Sequence, residues 1–297
     1  VIPYDEFGLF SENAAEYGLP YEGPPAVRRV SVEVGPGRQV SSLLWGTGAP
    51  ELVLVHGGAQ NAHTWDTVAM MLDRPLVAID LPGHGHSDGG PGGMLSVEGN
   101  GADLARVVAE LAPDAAGVVG MSLGGLSSIA LAATAPELVR KLALVDVTPG
   151  VNAEKSAPIH AFVNGPDSFA DFDELLTRTI EHNPTRSVSS LRRGILHNAV
   201  QREDGSWVWR YARFRTEGGV APDFQSLWDA ISALTVPLLL VRALAWSVVG
   251  DEDVEELLRR RPTTQVVGVE GAGHSIQGDR PRELASIVSE FLFPPAE

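Results

Sequence analysis

Gly117-Val118-Val119-Gly120-Met121-Ser122-Leu123-Gly124-Gly125-Leu126-Ser127-Ser128-Ile129-Ala130 is the stretch that decides the fold. A short apolar run leads into a helix of small residues, and the turn between them fits Gly-x-Ser-x-Gly from Gly120 to Gly124. A serine on so sharp a turn stands clear at the end of a strand. The N-terminus of the next helix then faces any negative charge that develops there. Five residues alone are a weak signal in a chain with 32 glycines. The strand before them and the small-residue helix after them, able to pack closely on a sheet, give the match its weight.

Outward from this turn the pattern repeats. Leu52–Val55, Leu76–Ile79, Val118–Met121, Leu142–Val145 and residues 238–241 are short, continuous apolar runs of the kind found in strands buried on both faces. Helical periodicity falls at 64–72, 97–111, 123–135, 253–260 and 282–291. This alternation predicts an α/β fold with a mostly parallel central sheet and helices on both faces. Two β-prone runs around Gly35-Pro36-Gly37, within residues 30–45, add a hairpin. The rhythm breaks after Asp146, where about 90 residues pass without a buried-strand run. Helical stretches at 172–180 and 189–197, then an Asp204-Gly205 turn before alternating Trp207-Val208-Trp209-Arg210-Tyr211, make this an inserted, mainly helical cap. The expected division is a core of residues 1–147 and 234–297 with a cap of 148–233.

Two further segments carry chemistry. His56-Gly57-Gly58 follows the run Leu52–Val55. A backbone N–H from this loop, at Gly58, and the N–H of Leu123 after the serine can converge on an oxyanion. Gly271-Ala272-Gly273-His274 follows the last strand-like run, Gln265–Val269, and brings His274 on a flexible loop to act as general base and then general acid. Asp80-Leu81-Pro82-Gly83-His84-Gly85-His86-Ser87 is a polar turn whose glycines and proline shape a tight loop. Its His-x-His spacing suits a metal only with further ligands, so no metal is expected.

The motifs His56 to Asp66, Leu81 to Ser87, Val119 to Leu126 and Leu144 to Pro149, with Ser190-Leu191-Arg192-Arg193-Gly194 and Trp207 to Tyr211, resemble the α/β-hydrolases, and within them a group of mycobacterial esterases. The resemblance covers most of residues 51–291. It implies an esterase acting on fairly small, unbranched acyl esters, with Ser122 as nucleophile and His274 as base. In many α/β-hydrolases the third, acidic member follows the run at 238–241. Here that place holds Ala243-Leu244-Ala245-Trp246, with no carboxylate. Asp146, 24 residues past Ser122, occupies the other known location and can orient the histidine. Asp251 and Asp253 compete for the role, although acids at a helix start are also explained by the helix dipole. Gly57, Trp246, Trp207 and Trp209 are candidate pocket residues. The two cap tryptophans share a face of the hairpin and serve either the pocket or the packing of cap on core.

Composition limits the alternatives. A net charge of −16 opposes nucleic acid and anionic membranes, and the absence of cysteine removes thiol nucleophiles and disulfides. No apolar run reaches the roughly 18 residues of a membrane span, and the acidic first ten residues do not read as a signal peptide. The expectation is a cofactor-free, cytoplasmic serine hydrolase, monomer or homodimer, cleaving small to medium carboxylic esters. Lactone or carbon–carbon bond hydrolysis, or cofactor-free oxygenation, would use the same scaffold, and a non-catalytic receptor is the reading from another class.

Overall fold

The computed structural model describes residues 2–90, 93, 96–151, 153–212 and 224–295, so residue 152 and residues 213–223 of the expected cap lie outside it. Strands β1 (Val27–Gly35) and β2 (Arg38–Trp45) form the expected hairpin. They are followed by β3 (Leu52–Val55), β4 (Leu76–Ile79), β5 (Val118–Met121) and β6 (Leu142–Val145). A short hairpin, β7 (Ala199–Gln201) and β8 (Trp207–Trp209), turns through Asp204-Gly205, and β9 (Leu238–Ala243) and β10 (Gln265–Val269) complete the set. Eight strands make one sheet in the order β1-β2-β4-β3-β5-β6-β9-β10. Only β2 runs against the others. β3, β4, β5 and β6 are buried at every position, which is why their sequences are apolar without alternation.

The sheet is covered on both faces. Leu104, Val107 and Val108 of helix Val97–Leu111 pack with Leu126 and Ile129 of helix Leu123–Thr134 on one side. On the other, Val68 and Leu72 of helix Asp66–Leu72 meet Leu284, Val288 and Phe291 of helix Pro281–Leu292, with Phe10 of helix Phe10–Tyr17 beside them. Among the described residues no helix is long and apolar enough to cross a membrane.

Chain order reverses at β3, with β4 laid on one side of it and β5 on the other. In open α/β sheets the crevice beyond the carboxyl ends of such strands is where ligands bind. The segment after β6 closes over that crevice with helices Ala153–Val163, Phe172–His182 and Val188–Asn198 and the β7–β8 hairpin. Helix Ser226–Ala233 lies within the expected cap of 148–233, and its Leu227, Trp228 and Ile231 are buried in the main core cluster against helix Leu123–Thr134.

The cap is also tied to the beginning of the chain. Glu16 takes hydrogen bonds from Arg193 and Ser187 of the cap, and Glu12 pairs with Arg192 at 3.4 Å. Tyr4 Oη lies 2.8 Å from His197 Nδ1. These contacts hold helix Val188–Asn198 against helix Phe10–Tyr17. Nothing in the periodicity of either helix announces the pairing.

Candidate active site

Ser122 stands between β5 and the next helix, at its N-cap, with a positive φ of 50° and ψ −121°, a strained choice for a residue with a side chain. The glycines around it are dictated by contact. A Cβ on Gly120 would lie 2.6 Å from the Gly124 carbonyl oxygen, and one on Gly124 would lie 2.4 Å from the carbonyl oxygens of both Val55 and His56. The helix can therefore press its first turn onto β3 only if both positions lack side chains. Gly57 is held in the same way, since a Cβ there would strike Met121 Sδ at 2.4 Å and Ser122 Cβ at 3.1 Å.

Asp146 ends the neighbouring strand β6 and likewise has a positive φ, 49°. Its carboxylate is fully buried. Oδ2 lies 2.8 Å from His274 Nδ1. Oδ1 accepts from the Ala243 N–H at 2.9 Å and from the Ser247 hydroxyl. The Val248 N–H approaches Oδ2 at 3.4 Å. The loop 243–249 thus turns inward and supplies donors to an acid on the adjacent strand.

The competing carboxylates are engaged elsewhere. Asp251 is exposed and pairs with Arg242 at 2.6 Å. Asp253 accepts from the Gly250 N–H at 2.7 Å, capping its helix, and from Lys155 at 2.6 Å.

The loop after β3 is braced from two sides at Ala59, whose φ is 60°. His84 Nε2 accepts from the Ala59 N–H at 3.1 Å, and Asn198 of the cap donates to the Ala59 carbonyl at 2.7 Å. Gly58 stands just before this clamp. Neither its N–H nor that of Leu123 donates to another group among the described residues. Both residues line the same cavity as Ser122 and His274. His84 is fully buried, and burial, reinforced by neighbouring His56, pushes its pKa down to about 3. Burial lowers His56 as well. His56 Nδ1 lies 2.7 Å from the Gly57 carbonyl, and its Nε2 accepts from the Leu81 N–H at 2.9 Å. Both rings are neutral braces with their nitrogens committed to backbone.

The cavity measures about 540 Å³ and lies between the carboxyl ends of the strands and the cap. Gly57, Trp246 and Trp209 line it. Trp246 is 41% exposed and stands edge-on to His274, ring centres 5.8 Å apart. Trp207 is placed differently. It is buried in the cap among Phe169 and Phe172 and does not reach the cavity wall. Both tryptophans do stand on one face of the hairpin, but helix Phe172–His182 covers one end of that face and the cavity opens at the other.

A second cluster joins cap, core and the first residues of the chain. His63 and His197 stack at 3.8 Å with planes 9° apart, beside Asp66. Stacked rings send their lone pairs along parallel planes instead of converging on one ion. Here His63 bridges two carboxylates, Asp66 at 2.9 Å and Glu6 at 3.1 Å. Burial opposes its charge, but Asp66 and the bond to Glu6 outweigh that and hold its pKa up to about 9. His197 is kept neutral by burial and by the charge on His63. Because the His63 pKa is raised on folding, its stabilisation is complete below the unfolded value of about 6.5. It is lost as pH rises through about 9. Denaturant unfolding from pH 6 to 9.5 should show a decline of up to about 3 kcal/mol. His63→Gln should flatten it, and an unchanged slope in that variant would place the titration elsewhere.

Residues 52–287 match the Alpha/beta hydrolase family. This chain is an α/β-hydrolase. It is 47% identical to esterase Rv0045c of Mycobacterium tuberculosis (strain ATCC 25618 / H37Rv), over 97% of this chain and 96% of the relative. A solved structure of that esterase superposes on the hydrolase with a TM-score of 0.87 at 46% identity, covering 97% of this chain and 99% of the other. The 2-(acetamidomethylene)succinate hydrolase of Mesorhizobium japonicum is 28% identical over 82% of this chain and 88% of its own length. A crystal structure of E-2-(acetamidomethylene)succinate hydrolase gives a TM-score of 0.77 at 25% identity, over 90% and 99%.

Proposed function

We propose that the hydrolase cleaves small to medium carboxylic esters through an acyl-enzyme on Ser122. One observation carries the assignment of roles. The buried Asp146–His274 pair and two undonated N–H groups, at Gly58 and Leu123, open onto one cavity with the strained Ser122. Asp146, satisfied by loop 243–249, accepts a hydrogen bond from the His274 Nδ1–H and leaves Nε2 as the base. Ser122 Oγ adds to the ester carbonyl as its proton passes to Nε2. The Gly58 and Leu123 N–H groups receive the charge on the carbonyl oxygen. Collapse of the adduct breaks the ester C–O bond, His274 protonates the departing alcohol, and water then releases the acid by the same route.

The likeness to esterase Rv0045c supports ester hydrolysis as the reaction. The net charge of −16 disfavours a nucleic-acid partner, and the same reading takes a small-molecule ester as substrate and the protein as a cytoplasmic monomer or homodimer. Fluorophosphonate labelling, together with turnover of p-nitrophenyl esters of increasing acyl length, tests the assignment. Labelling at Ser122 with turnover best on short to medium unbranched chains is expected. A protein that neither labels nor turns over any of them would be a binding module.

A further inference from the structure

Arg186, on the turn 183–187 before helix Val188–Asn198, lines the cavity from the cap side. Its guanidinium stands beside Gly278, four residues past His274. A Cβ built on Gly278 would come within 2.5 Å of Arg186 Cζ, so the cation fits there only because position 278 has no side chain. Nε donates to Ser190 Oγ at 2.9 Å. The two terminal nitrogens, with four N–H groups, donate to no acceptor among the described residues.

The nearby carboxylates point elsewhere. Glu16 is taken by Arg193 and Ser187. Asp279 accepts from the Gly273 N–H and from Thr185 Oγ1, both at 2.8 Å. Burial pulls the Arg186 pKa below its ordinary value, and Asp279 only partly offsets this. The side chain still carries its charge at any working pH. The guanidinium is half-buried, and its open fork is available to an entering anion through paired, charge-assisted hydrogen bonds.

Resting on the esterase reading of this site, we infer that Arg186 forms an anion subsite for the free carboxylate of a half-ester of a dicarboxylic acid. Its ester end lies at Ser122 and its carboxylate on the Arg186 fork. Ile159, Phe162 and Leu191 supply apolar wall in the same cavity for the chain between them. The neighbouring Glu16 and Asp279 favour one added negative charge over two, which selects a carboxylate over a phosphate dianion.

The test compares monomethyl glutarate, adipate, pimelate and suberate with neutral methyl esters of the same chain length, by pH-stat, on the wild type and on Arg186→Gln. The wild type should prefer one half-ester length over its neutral counterpart by about 10-fold or more in kcat/KM, a preference that shrinks with added salt. Arg186→Gln should lose about 10-fold or more on that half-ester, mainly through KM, and change by less than about threefold on the neutral ester. A wild type that does not favour any half-ester overturns the subsite without recourse to a variant. Equal losses on both substrates would make Arg186 a structural strut and overturn it too. Neutral-ester turnover and fluorophosphonate labelling report on the esterase reading separately, because neither requires Arg186.

Discussion

Ser122→Ala is expected to lower kcat/KM on an activated ester by roughly 10⁵-fold or more and to abolish fluorophosphonate labelling. The hydroxyl is the one group in the proposed mechanism that forms a covalent bond to the substrate, so no neighbour substitutes for it. His274 and the Gly58 and Leu123 N–H groups survive in the variant. A small rate above the uncatalysed one should therefore persist, from binding and oxyanion stabilisation alone. Turnover within tenfold of wild type, in protein of matched folding, would remove Ser122 from the reaction.

Asp146→Asn should lower turnover by roughly 10³- to 10⁴-fold while leaving the fold intact. Asparagine is the informative substitution because it tolerates the left-handed backbone that Asp146 adopts. Its amide can donate to His274 Nδ1, which moves the imidazole proton to Nε2 and removes the base from the serine side. Asp251→Asn, at an exposed ion pair, should leave turnover nearly unchanged. Asp253→Asn should reduce stability through its cap and its contact with Lys155, with little effect on turnover at low temperature. Kinetics of the three proteins decide the matter. Loss of turnover in Asp251→Asn with Asp146→Asn active would overturn the assignment.

The elements most legible in the sequence were those whose patterns are local. Leu52–Val55, Leu76–Ile79 and Leu142–Val145 stand where their apolar runs end, because burial on both faces leaves no polar position inside them. Helix Val97–Leu111 begins at a Ser96 cap and keeps a clear apolar stripe. What escaped was the partner of each face. Alternation put Trp207 and Trp209 on one side of a hairpin, but whether a tryptophan meets Phe172 or the cavity depends on helices distant in sequence. Helix Ser226–Ala233 follows cap residues in the chain yet packs on the core, which no spacing discloses.

At the candidate site, the missing carboxylate at 243–246 pointed to Asp146, and the two are related physically. The loop without an acid is the one that hydrogen-bonds the acid on β6. Arg186 and His197 carried no signal, and His63 stood only as one position of the His56 to Asp66 motif. Each is a single polar residue in an ordinary turn or helix until folding sets it against Gly278 or Asp66.

Ser122 and Asp146 close adjacent parallel strands, and each holds a backbone that glycine would adopt without cost. Replacing Ser122 by glycine would relieve about 1–2 kcal/mol of local conformational energy, whereas Asp146→Gly would also strand the buried donors of Ala243, Ser247 and His274. Durability and reactivity therefore pull in opposite directions at Ser122. A lineage or a laboratory campaign that rewarded heat resistance alone would erode the catalyst first, so activity has to be scored at every round to keep it.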